Sequence, residues 1–109
     1  MKLILSILIL SFSLPLLASG TSNYKGIQTI HQRQCTADMG FEITLKEAHA
    51  NPDSCANSLV VDLACDHPAF NSISSIALTA FVTGKNVRFW LNGCDSHNQA
   101  KIVTIEINN

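Results

Sequence analysis

Hydrophobic and polar residues alternate along most of the chain after residue 24. "FEITL", 41–45, puts Phe41, Ile43 and Leu45 on one face, the period-two signature of a half-buried strand. "YKGIQTIH", 24–31, alternates more weakly. Ile27 and Thr29 share one face and Ile30 takes the other, with Gly26 softening the strand. "LVVDLAC", 59–65, predicts a third strand with Leu59, Val61 and Leu63 inward. In "NVRFWL", 86–91, Val87, Phe89 and Leu91 face one way while Arg88 and Trp90 face the other. "KIVTIEI", 101–107, closes the chain with Val103, Ile105 and Ile107 inward.

Between the third and fourth strands the period changes. "DHPAFNSISSIALTAFVTG" spaces Phe70, Ile73, Ala77, Ala80 and Phe81 by three and four, the stripe of an amphipathic helix. Asp66 is placed to cap its start, Pro68 suits a first turn, and Gly84 stands where a left-handed terminating residue is wanted. "ANPDSCANS", 50–58, is turn chemistry. The order β-β-β-α-β-β predicts a mainly β domain with one helix, a small five-stranded, partly open barrel of the OB type. An open α+β sheet with one covering helix is the competing architecture.

The opening residues, MKLILSILILSFSLPLLASG, follow a different plan: a basic start, an apolar run and a small-residue end. That is the layout of a secretory signal peptide, with cleavage expected after Gly20 or Ala18. Pro15 interrupts the run, which falls short of the ~20 apolar residues of a spanning helix. No membrane span is therefore expected in the mature chain. Residues 21–109 then form one domain, secreted or periplasmic, and hold all four cysteines: Cys35, Cys55, Cys65 and Cys94. An even cysteine count in a small exported chain reads as a disulfide framework. The mature charge is slightly acidic, with six Lys and Arg (the chain's seven less Lys2) against eight Asp and Glu. No basic run exists, and phosphate-led nucleic-acid binding needs one.

Four cysteines allow three connectivities, and spacing does not choose among them. The OB strand order does. Its first and third strands run the same way, so Cys35 and Cys65 lie at one end of the barrel. The fourth runs back, which brings Cys94 to Cys55. "CDH" (65–67) and "CDSH" (94–97) also pair a Cys with a nearby His. They lack the tight Cys-x₂₋₄-Cys spacing of zinc sites, so the expectation is no metal. Bridged cysteines cannot act as nucleophiles. The chain carries no Gly-x-Ser-x-Gly, no phosphate loop and no His-Glu-x-x-His, so neither catalysis nor a cofactor is expected. Trp90, with Arg88 beside it, either packs under another element or forms an exposed aromatic platform for a sugar or a partner. Ser72, Ser74 and Ser75 mark the polar side of the helix, as plain solvated residues or as a face that permits close helix contact.

"AFNSISSIALTAFVTGKNVRFWLNGC", 69–94, resembles two groups. A helix ending in Thr-Gly-Lys before a Val-Arg strand is similar, over 69–91, to the B subunit of subtilase cytotoxin. The Asn51-Pro52-Asp53-Ser54-Cys55 turn, the Gly93-Cys94 strand end and the Ile-rich C-terminal strand resemble a set of small uncharacterised secreted proteins of Gram-negative bacteria. The resemblance implies an OB fold, supports a Cys55–Cys94 bridge, and implies a glycan-binding ring of five copies that does no catalysis. In that ring the helices line the central pore. The toxin's helix carries a sialic-acid-holding Tyr where this chain has Ser74, so that pocket does not carry over. The function expected is an exported binding domain for a glycan or protein partner, self-associating by analogy. A monomeric secreted or periplasmic inhibitor presenting its loops to a partner protein is the alternative.

Overall fold

Six strands and one helix form about two thirds of the backbone that the computed structural model describes, residues 19–36 and 39–108. They are β1 (Gly20–Thr21), β2 (Ile27–Thr36), β3 (Met39–Leu45), β4 (Asn57–Leu63), α1 (Phe70–Thr83), β5 (Val87–Cys94) and β6 (Gln99–Ile107). The signal-peptide segment lies, up to residue 18, outside the described residues. Among the described residues, no helix is long and apolar enough to cross a membrane.

The sheet order is β1-β5-β6-β4-β3-β2, antiparallel throughout except for the parallel β4–β6 pair. A three-strand meander whose last strand runs parallel to the final strand is the connectivity of an OB barrel. Closure comes from the segment before β2. Lys25 and Val87 exchange both backbone hydrogen bonds, at 2.8 and 2.9 Å, and Gly20 and Thr21 pair with Leu91 and Trp90. The short β1 was not visible in the hydrophobic pattern, because two small polar residues carry no alternation.

The core is the inner face of this barrel. Ile43, Val61, Leu63, Val87, Phe89 and Leu91 are fully buried, and Ile73, Ala77 and Ala80 of α1 close one side of it. Phe70 meets Phe41 edge to face, ring centroids 6.3 Å apart. Gly84 ends the helix with φ 69°, its N–H donating to Ala80 O, as its position predicts. The start differs from expectation. Ala69 is the N-cap, and Asp66 is exposed and caps nothing. His67 serves instead: its carbonyl accepts the Phe70 N–H and its ring Nδ1 accepts the Ala69 N–H.

Five placements expected from the pattern, those of Thr29, Leu59, Phe81, Val103 and Ile107, are corrected, two of them by β-bulges. Ile27 pairs with Leu45 but Thr29 pairs with Thr44, so one extra residue, Gln28, turns Ile30 inward opposite Ile43 and leaves Thr29 exposed. Trp90 pairs with Thr104 and Leu91 with Ile102, so Val103 is extra. Ile102 takes the core position, while Val103 and Ile107 are 37% exposed. Leu59 falls in the register shift between Asn57 and Val61 and is likewise exposed. Phe81 is also exposed, one position past the stripe that faces the sheet.

The two bridges are Cys35–Cys65 and Cys55–Cys94. Around the second, Asp53 Oδ2 accepts the Gly93 N–H at 2.6 Å, and the Asn51 side chain bonds both the N–H and the C=O of Cys55. Closing loops of this length is worth about 3–4 kcal/mol per bridge. Replacing Cys55 and Cys94 together by Ala is therefore expected to lower the unfolding free energy by about that amount in non-reducing urea titrations. A loss within error of zero would mean that the Asn51 and Asp53 clamps hold the loop without the bridge.

Candidate functional site

β5 projects Arg88, Trp90 and Asn92 away from the core, alternating with Val87, Phe89 and Leu91. Trp90 is 41% exposed. Its cross-strand neighbours are Thr21 on β1 and Thr104 on β6, so a bare aromatic ring stands between two hydroxyl-bearing residues. Arg88 is committed within the surface. Its Nη2 and Nε donate to Glu106 Oε2 at 2.7 and 3.0 Å, and its guanidinium lies 4.9 Å from the centre of the Tyr24 ring. Tyr24 donates to the same carboxylate at 3.3 Å. The hydrogen bond from Arg88 holds the Glu106 carboxyl below its ordinary range, and the same bond raises the guanidinium's. This cluster borders the Trp90 platform and stiffens its edge.

Beyond Trp90 the face deepens into a cleft of about 280 Å³. Asn92 and β6 form one wall. The turn between β4 and α1, with Asp66, His67 and Pro68, forms the other, and Lys101, Ile102 and Val103 also line it. Both nitrogens of His67 are engaged: Nδ1 accepts from Ala69, so Nε2 carries the proton and donates to Val103 O at 2.9 Å. His67 thereby ties the turn to the bulge of β6 and has no nitrogen left for a ligand or proton transfer.

Of the residues singled out from sequence, Trp90 and Arg88 thus lie together on one strand face. Ser74 lies on α1, half-buried, with its hydroxyl donating to Phe70 O at 2.7 Å within its own helix. The two Cys/His pairs hold no thiolate, since all four sulfurs are in bridges. Among the described residues, no three His, Cys, Asp or Glu side chains converge as a metal set.

Sequence reasoning missed one feature, although its signal was present: Asp62 interrupts an otherwise apolar strand. Asp62 is 1% exposed and Asp95, in the β5–β6 turn, is 8% exposed. Asp95 Oδ1 accepts the N–H groups of His97 and Gln99, and Asp62 Oδ1 accepts that of Gly40. Each Oδ2 is buried and lacks a donor unless the two carboxyls share a proton. A proton on Asp62 would supply that donor toward Asp95. The pKa of Asp62 is pushed up to about 7, first by burial, then by the bond to Asp95, then by the negative charges of Asp95 and its cross-strand neighbour Glu42; the Gly40 N–H opposes this. Glu42 itself pairs with Arg33, Nε to Oε1 2.8 Å, an ion pair whose N–H is not aimed at the oxygen.

Between pH 3.8 and about 7 the folded state holds a proton that the unfolded chain has released. The resulting stability is complete at the acidic end and is lost as pH rises through about 7. Asp62→Asn places an N–H donor where the proton sits. It is expected to flatten the fall in thermal midpoint between pH 5 and pH 8 and to be the more stable form at pH 8. A variant with the wild-type slope would show that the shared proton does not set it.

No protein family matches the chain, and neither does any curated protein or solved structure.

Proposed function

We propose that this protein is an exported, non-catalytic binding domain that takes a glycan on the outward face of β5. The observation that carries the reading is Trp90, 41% exposed and flanked by Thr21 and Thr104. A sugar presents one apolar face and a rim of hydroxyls. An aromatic plate with hydroxyl-bearing neighbours matches both, and Trp90 leaves 41% of its surface open to a ligand. Two disulfides fit an oxidising extracellular or periplasmic compartment. Export by the N-terminal segment fits best with cleavage after Ala18, which leaves Gly20 and Thr21 in place to pair with β5. Bridged sulfurs and a fully engaged His67 favour binding over chemistry.

Self-association, as in the toxin B-subunit likeness, draws support from α1. Its sequence FNSISSIALTAFVT contains no charged residue, and Leu78, Phe81 and Val82 are exposed on it. The same apolar face also serves the alternative, a monomer that binds another protein. Light scattering on the mature chain separates them: a mass near five chains supports the ring, and a monomer supports the single module.

Trp90→Ala is expected to weaken glycan-array binding by about tenfold, the loss of one apolar stacking contact of about 1–2 kcal/mol. The thermal midpoint should stay near wild type, because the ring points away from the core. Unchanged array binding in the folded variant removes Trp90 from the site. Mass spectrometry of the exported protein is expected to find Ser19 at its N-terminus.

A further inference from the structure

We propose that the cleft beside Trp90 is a subsite for one neutral sugar residue, whose hydroxyls are read by Asn92, Lys101 and Asp66. This rests on the glycan reading of the Trp90 face and goes beyond it by naming the ligand's charge and the groups that select it.

Three observations converge there. First, position: Asn92 lies two residues after Trp90 on the same strand face, about 7 Å along. A ring stacked on Trp90 therefore has its neighbouring residue directly over the cleft. Second, availability: the side chains of Asp66, Asn92 and Lys101 make no hydrogen bond or ion pair among the described residues. His67, in the same wall, has both nitrogens engaged. The cleft thus contains three polar groups that the fold does not use, Asp66 and Asn92 exposed and Lys101 half-buried. Third, chemistry: a carboxylate only accepts, an ammonium only donates, and a carboxamide does both.

That mixed set decides the ligand class. An acidic sugar would satisfy Lys101 but set its charge against Asp66. A cationic ligand would reverse the conflict. A hydroxyl donates and accepts at once, so a neutral polyol ring satisfies all three groups together. Pro68, Ile102 and Val103 supply the apolar surface on which the ring's C–H face rests. A cleft of about 280 Å³ has room for one such ring.

The test titrates the protein with methyl glycosides of glucose, galactose, mannose and N-acetylglucosamine, with methyl glucuronide as the charged control. Two-dimensional NMR follows the Trp90 indole and the Asn92 carboxamide. At least one neutral glycoside is expected to shift both signals, while the glucuronide binds more weakly than its neutral counterpart. Asn92→Ala, Lys101→Ala and Asp66→Asn should each weaken binding by about tenfold, the cost of one polar group left unpaired. All three residues lie outside the core, so these variants keep the fold, checked by their thermal midpoints. A glycoside that shifts Trp90 but binds all three variants unchanged overturns the subsite and leaves the glycan reading standing. A glucuronide that binds better than the glucoside overturns the neutral class. If no glycoside moves either signal, the glycan reading fails and this inference fails with it.

Discussion

The parallel contact between β4 and β6 holds the molecule together. On one side of it lies the β2–β3–β4 meander, on the other the β5–β6 hairpin with β1 at its edge. Each half is built from antiparallel pairs, and Asn57 against Gln99, Val61 against Ala100 and Asp62 against Lys101 knit the two along the sheet, with the Lys25–Val87 bridge joining them on the far side. Parallel pairing needs a crossover, and α1 supplies it, packing its Ile73–Ala77–Ala80 stripe on the core as it returns the chain. The Cys55–Cys94 bridge reinforces the join from one side, tying the chain just before β4 to the end of β5. Cys35–Cys65 ties the end of β4 back across the meander, over Gly40, where a Cβ would collide with the Cys65 sulfur.

The same junction explains why a buried acid is tolerated. Asp62 sits at the parallel seam, and its partner Asp95 occupies the turn that starts β6. A proton on Asp62 supplies the missing donor, so the contact between this turn and β4 is expected to weaken as pH rises. Hydrophobic residues at both positions would pack without that dependence. The β5–β6 turn, next to the Cys55–Cys94 bridge, is therefore where pH dependence of the fold is expected to originate.

The outer face of β5 and β6 inherits its shape from irregularities in the strands. The bulge at Val103 pushes that residue out and lets its carbonyl accept from His67, which fixes the turn ahead of α1. Set outward by the bulge, Val103 joins Lys101 in lining the cleft.

By itself the sequence determined the order of every element but the short β1, because period two and period 3.6 are written directly into residues 41–45, 70–81 and 86–91. It also determined the outward placement of Arg88 and Trp90, since one residue of alternation decides the face, and it marked the helix end through Gly84. Four cysteines in a short chain pointed to the bridged framework. Tertiary structure alone decided the rest. Bulges at Gln28 and Val103 reversed the faces of Ile30 and Ile102, and nothing in a one-dimensional pattern announces an extra residue that has no partner. Helix capping passed from Asp66 to His67 because a ring nitrogen and a carbonyl of one residue could reach both free N–H groups. The pairing of Asp62 with Asp95, thirty-three positions apart, and the meeting of Asn92, Lys101 and Asp66 in one cleft both depend on the parallel seam. Long-range geometry of that kind follows from the closed sheet and is invisible to local periodicity.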